Sequence, residues 1–269
     1  MNGALTLFYM NFEESKRRRD GASDTRCREF TLPNARNSLG RAVHGAIWDG
    51  PNCLAGNPMI VFGHGASGDR HQSPIPYLAK KAVRELGYFA VSIDGPVHGK
   101  RTVGDGARGA FGEEWQRSGC IDDMLSDWQI AIDAALAETG AGKLAYWGLS
   151  MGTIFGAPLV AADKRICTAV LGLMGTVGAN EETKSKIVEA AANIHCPVLF
   201  LMQLEDELFS RERYLDLFDR FATADKRIHA HPGLHPAVPV SELNASLAFL
   251  HDRLENGPAE PVDSAFGPI

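Results

Sequence analysis

Cysteine is scarce in this sequence, and what there is forms no pattern. The five cysteines, at positions 27, 53, 120, 167 and 196, are odd in number, and no two stand as a C-x-x-C pair. Neither a disulfide framework nor a zinc cage is expected, and a reducing compartment fits better. Long apolar runs are missing too: none approaches the ~20 residues of a membrane-spanning helix. The opening MNGALTLFYM has no basic residue ahead of its apolar stretch, which makes it a poor secretion signal. A basic surplus is also lacking. The 27 Lys and Arg against 33 Asp and Glu leave a net charge of -6, which gives no electrostatic reason to expect nucleic acid. The expectation is a cytoplasmic protein with no membrane and no nucleic-acid partner. The pattern specifies no oligomeric state.

What is present is the material of one large globular domain. The 269 residues are 45% apolar, enough to bury most of the surface of the unfolded chain without staples. Apolar runs that read as strands (27–32, 40–48, 58–62, 88–93, 143–149, 166–173, 197–202 and 226–230) alternate with stretches of helical period. The clearest of these is 121–136, where Ile121, Met124, Leu125, Trp128, Ala131, Ile132, Ala135 and Leu136 fall on one face. Further helices are expected over 151–162, 181–192, 211–222 and 238–255. Another should start at Ser73, with Pro74 in its first turn. Continuously apolar strands between helices predict an α/β fold: a mostly parallel sheet of about eight strands with helices on both faces. Residues 1–25 are an unassigned arm with a solvated basic run at Lys16 to Arg19. Residues 26–256 form the domain, and 257–269 a loose, proline-rich tail.

The chemistry is concentrated in a few loops. Gly148-Leu149-Ser150-Met151-Gly152 is a G-x-S-x-G match, a weak signal by itself in a chain with 28 glycines. Its setting strengthens it, because a strand is expected to end there and a helix to begin. So sharp a turn strains the serine backbone, exposes its Oγ and aims the N–H groups of the helix start at developing negative charge. Here the chain resembles the α/β-hydrolase family, over roughly residues 27–256. The resemblance implies Ser150 as nucleophile and the Met151 N–H as one oxyanion donor. Gly63-His64-Gly65-Ala66-Ser67-Gly68 stands where the family places its second donor, which gives the Ala66 N–H that role and His64 a bracing one. Asp94 and His98, in the segment Asp94-Gly95-Pro96-Val97-His98-Gly99, are likewise expected to brace the site.

The family orders its triad as Ser, then Asp or Glu, then His. Glu205-Asp206-Glu207 follows the strand at 197–202, with Asp206 at the catalytic place and Glu205 as its alternate; the glycine often found ahead of this acid is replaced by Gln203-Leu204. Four histidines come later. His251 lies within the last helix, and His229 and His231 lie on one face of a strand. His235 follows Pro232-Gly233-Leu234 in a loop before the last helix, where a base can reach the serine. His235 is the expected base, with His231 second.

The implied activity is cleavage of an ester, thioester or lactone of a small to medium soluble substrate through an acyl-enzyme, with no cofactor and no metal. The same triad also serves acyltransferases, amidases and perhydrolases. Two readings of other classes compete. Residues 63–68 also fit G-x-G-x-x-G, with Asp94 as a ribose partner, although Asp69 to Gln72 separate the third glycine from the helix start. A fold kept only for ligand binding would lack turnover. Only 22 residues lie between Met174 and Pro197, too few for a large cap domain. The long, glycine-rich stretch 99–118 is expected to be an irregular short flap, with Phe111 and Trp115 as its apolar underside and candidate pocket residues.

Overall fold

The computed structural model describes residues 10–12, 25–33, 36–104 and 108–259. Nine strands among them make one sheet: β1 (Asn11–Phe12), β2 (Arg26–Leu32), β3 (Val43–Asp49), β4 (Met59–Gly63), β5 (Phe89–Ile93), β6 (Leu144–Gly148), β7 (Ile166–Gly172), β8 (Val198–Gln203) and β9 (Lys226–His231). Their order across the sheet is β1-β2-β3-β5-β4-β6-β7-β8-β9. The first three strands and the β3–β5 pair run antiparallel, and from β5 to β9 every pairing is parallel. The ninth strand is the two-residue β1, which pairs with β2 inside the stretch the sequence left unassigned. The basic run at 16–19 and residues 260–269 lie outside the described residues.

Alternation along each strand divides the core. Met59 and Val61 face one apolar cluster, whereas Ile60 and Phe62 face the other. The first cluster is covered by α3 (Cys120–Thr139), α4 (Met151–Ala162), α5 (Glu181–Ala192) and α6 (Arg211–Arg220), through side chains such as Trp128, Ile154, Ile187 and Leu217. The second is covered by α1 (Ile75–Lys81) and α7 (Val240–Asn256), through Leu78 and Leu247. Both faces of β4 to β8 are therefore dry, which is why these strands read as unbroken apolar runs, whereas the edge strand β9 (KRIHAH) is only partly buried. The segment between β7 and β8 holds α5 and its loops and no cap.

Two local expectations need correction. The helix after β4 starts at Ile75 and not at Ser73. Pro74 has non-helical angles (φ -97°, ψ 10°), and Pro76 is the proline that occupies the first turn. The stretch 99–118 is largely ordered. It contains a 3-10 turn, Gly99–Arg101, and a helix, α2 (Arg108–Gln116). Its glycines hid the helical period, and tertiary contacts supply what propensity does not. Phe111 packs on His98 and Phe155, with centroids 5.5 and 6.4 Å away, and buried Glu114 pairs with Arg41 at 3.2 Å.

The chain leaves β4 for β5 on one side and later returns to β6 on the other, so β4 and β6 flank a topological switch. In an open sheet of this kind, the crevice beyond the strand ends at the switch is where ligands bind. Gly63 and Gly148 are register partners at the last position of these two strands, so the loops that follow start side by side.

Candidate active site

Ser150 sits between β6 and α4 with φ 57° and ψ -119°, a conformation closed to most side chains. Holding it costs on the order of 1–3 kcal/mol, which the surrounding hydrogen bonds offset. Ser150 N–H donates to Gly172 O at 2.9 Å, and its own carbonyl accepts from Thr153 and Ile154 N–H at 2.7 and 3.0 Å. The turn is this tight because α4 lies directly on β4: a Cβ on Gly152 would come within 2.5 Å of the Gly63 carbonyl oxygen. Tyr146, on β6, occupies the space a Cβ would need at Gly63, Gly148 or Gly156, and its hydroxyl donates to Gly152 O.

Three separated segments meet at the serine. His235 Nε2 lies 2.9 Å from Ser150 Oγ, and His235 Nδ1 lies 2.7 Å from Asp206 Oδ2. The Asp206 side chain is fully buried and that of His235 is 12% exposed. Asp206 Oδ1 accepts from the N–H groups of Leu208 (2.7 Å) and Phe209 (3.1 Å), and Oδ2 also accepts the Tyr214 hydroxyl. Burial alone would raise the Asp206 pKa. The hydrogen bonds from Tyr214, His235 and Leu208 outweigh it and hold the carboxyl below the ordinary carboxylate range. Burial, followed by the Asp206 carboxylate, pushes the Tyr214 phenol far upward, so it remains a donor. Nothing in the sequence singles out Tyr214, one of five tyrosines. Its role follows only from α6 packing beside the acid loop.

The other two acids of the loop are exposed but each accepts a backbone N–H. Glu205 accepts the Gly233 N–H, and Glu207 accepts the His235 N–H at 2.9 Å, so the triplet grips the histidine loop at three points. The other candidate base is committed elsewhere. His229 Nδ1 and His231 Nε2 each lie 2.8 Å from a different oxygen of the buried Glu242.

On the opposite side of Ser150, the loop after β4 is braced from within. Gly95 N–H donates to His64 Nε2 at 2.8 Å, so the proton of this buried imidazole lies on Nδ1, which donates to Gly65 O at 2.8 Å. Burial holds the His64 pKa down at about 4, and protonation would set two N–H groups against each other. Because a trans peptide points its C=O and N–H in opposite directions, tying down Gly65 O turns the Ala66 N–H the other way. Gln72 staples the same loop. Its Oε1 accepts Gly65 N–H at 2.8 Å and its Nε2 donates to Ser67 Oγ at 2.6 Å. Met151 is the first residue of α4, so its N–H has no intrahelical partner. The dinucleotide fingerprint finds no support here, because Gly68 lies in this loop, well ahead of α1.

Asp94 and His98 are bracing groups. The fully buried Asp94 takes Arg70 at 2.6 Å and the Lys100 N–H at 2.9 Å. His98 Nε2 donates to Ala66 O at 3.1 Å. Phe111 is 9% exposed and packs edge-on against His98 (5.5 Å) and Phe155 (6.4 Å), so it lies behind the site and supports it; Trp115 stacks on it from α2. Among the described residues no cluster of three or more His, Cys, Asp or Glu could hold a metal ion, and no helix is long and apolar enough to cross a membrane.

No family model and no curated protein matches the chain. Solved structures do. A cold-adapted esterase from an Arctic intertidal metagenomic library, in a PEG-bound complex, is 35% identical over 91% of this chain and 99% of its own, with a TM-score of 0.77. An acetyl xylan esterase from Paenibacillus sp. R4 (16% identity, 90% and 87% covered, TM-score 0.67) shares the fold. So does Est1E from Butyrivibrio proteoclasticus with ferulic acid bound (14% identity, 81% and 97% covered, TM-score 0.64). With the full-length match at 35% identity added to the doubly covered parallel sheet and the serine on its strained turn, the chain belongs to the α/β-hydrolase family of esterases.

Proposed function

We propose that residues 26–256 form a single serine-esterase domain that cleaves esters of small to medium substrates through an acyl-enzyme on Ser150. The observation that carries this is the continuous relay from Ser150 Oγ through His235 to Asp206, at 2.9 and 2.7 Å, on a strained strand-to-helix turn. His235 Nε2 takes the Ser150 proton as Oγ bonds to the ester carbonyl carbon. The negative charge that develops on the carbonyl oxygen is met by the N–H groups of Ala66 and Met151. The protonated His235, held by Asp206, then gives its proton to the departing alcohol. Water repeats the sequence: His235 takes its proton, its oxygen attacks the acyl carbon, and Ser150 leaves with the proton returned. The ester-hydrolysing relatives named above support the same reaction for this chain.

The test is labelling with a small organophosphonate, which reacts only with an activated serine. One adduct on Ser150 is expected, together with hydrolysis of p-nitrophenyl acetate. Ser150→Ala should remove both, and turnover that survives in this variant would discard the mechanism.

A further inference from the structure

Beside the oxyanion loop is a cavity of about 480 Å³ whose walls are Ser67, Asp69, His98 and Thr102, with the backbone of the two loops that carry them. Ala66 is among its lining residues, so the cavity adjoins the proposed oxyanion donor. Among the described residues, no Leu, Ile, Val, Met or Phe lines it. Two exposed apolar side chains stand on the loops across Ser150, Leu208 two residues after Asp206 and Leu234 next to His235, and on the cavity side Val103, next to Thr102, is exposed as well. The strand order puts β4 on one side of β6 and β7, β8 and β9 on the other, so the cavity and the Leu208–Leu234 pair lie on opposite flanks.

The hydrogen-bonding capacity left in the walls is specific. Ser67 Oγ accepts from Gln72, which leaves its own proton free to donate. Thr102 uses its proton on Gly99 O at 2.7 Å, which leaves its lone pairs free to accept. Asp69 Oδ1 accepts the His71 N–H at 2.8 Å, and Oδ2 has no hydrogen-bond partner among the described residues. The side chains of Ser67, Thr102 and Asp69 therefore offer the cavity one donor, a neutral acceptor and a carboxylate oxygen. A carboxylate or phosphate group on a substrate would face Asp69 and be repelled. A quaternary ammonium would meet a single ring, His98, among the described residues, where such cations require a cage of several. An alkyl group would strand every one of these polar groups dry. A hydroxyl, which gives one hydrogen bond and accepts others, matches all three.

Building on the esterase function proposed above, we propose that this cavity holds the leaving alcohol of the substrate and that this alcohol is neutral and polyhydroxylated, a sugar or polyol. Asp69, Ser67 and Thr102 are then its specificity-determining residues.

The experiment compares kcat/KM for a mono-acetylated methyl glucoside, cyclohexyl acetate and acetylcholine, in the wild type and in Asp69→Leu, Ser67→Ala and Thr102→Val. Phosphonate labelling of Ser150 reports whether each protein holds a folded site. The wild type should prefer the sugar ester over cyclohexyl acetate. Asp69→Leu should lower that ratio by about ten- to hundredfold, as loss of a hydrogen bond to a charged group does. Thr102→Val and Ser67→Ala should lower it by about three- to tenfold, the value of a neutral bond. Wild-type preference for cyclohexyl acetate or for acetylcholine would overturn the proposal while leaving the esterase function intact. So would a ratio that does not change in the labelled variants. Failure of the wild type to take the label would overturn the triad itself, and this proposal with it.

Discussion

Tyr214→Phe removes one oxygen atom from the centre of the site and little else. The Tyr214 side chain is fully buried, with its ring 6.0 Å from Phe200 and 6.1 Å from Phe209, contacts a phenylalanine keeps. What goes is the hydroxyl that donates to Asp206 Oδ2, the oxygen that also faces His235. Asp206 then stands fully buried with its two backbone donors and the imidazole. A hydrogen bond to a buried charge is worth about 1.5–3 kcal/mol, which in a protein of this size lowers the melting temperature by about 3–12 °C. The pH dependence has a definite sign. The folded Asp206 carboxyl is depressed below its unfolded value of about 3.9, so its contribution is present above that pH and is lost as pH falls through the folded value. The variant loses one cause of that depression. The gap between wild type and variant should therefore be full at pH 7 and shrink below about pH 3.9. Urea midpoints measured from pH 7 down to pH 3 give the comparison. Equal midpoints at pH 7, or a gap that stays constant as Asp206 protonates, would refute this account of the carboxylate.

Asp206→Asn should lower kcat by about 10⁴ with the fold retained, by analogy with the loss of a triad carboxylate, and Tyr214→Phe should cost far less because the acid remains. His235→Ala should fall by at least about 10² in kcat, whereas His231→Ala should keep the reaction and lose stability through its Glu242 contact; steady-state kinetics and thermal melts on both separate the two roles. Gln72→Leu releases Gly65 N–H and Ser67 Oγ, so kcat should drop about tenfold to a hundredfold with KM little changed, short of the ~10²–10³ cost of deleting an oxyanion donor. Phe111→Ala should act mainly on stability, by about 3–5 kcal/mol as for other buried phenylalanines, and a normal melting temperature would show that α2 does not pack on His98 as described.

Residues whose role is local were legible in the sequence, and residues whose role is set by distant packing were not. Strands β4 to β8 could be read because burial on both faces leaves them continuously apolar. Ser150, Asp206 and His235, the proposed triad, could be expected to meet because each follows a strand in a loop of distinctive composition, in the family's order. Gly109 and Gly112 concealed α2, whose helix depends on Phe111 and Glu114 meeting His98, Phe155 and Arg41 elsewhere in the chain. Tyr214 and Gln72 carry no local signal at all. One is a helix residue that faces the acid loop, and the other is an amide whose two bonds close only when the loop folds back. The family pattern singles out Asp206 among the three acids of 205–207, and the path of the histidine loop shows what the other two do: they clamp its backbone.

The Tyr146 side chain has an evolutionary consequence. It fills the volume that a methyl group at Gly63, Gly148 or Gly156 would occupy, so these four positions share one parcel of space. Alanine at any of the three glycines meets the phenol ring or its hydroxyl, and a smaller residue at 146 alone opens a void beneath the nucleophile turn. Each single change is therefore costly, while a paired change can conserve volume. The positions are epistatic: a lineage or a directed-evolution library can redesign the floor of this turn only through coordinated substitutions, and the surface loops around it can diversify one residue at a time.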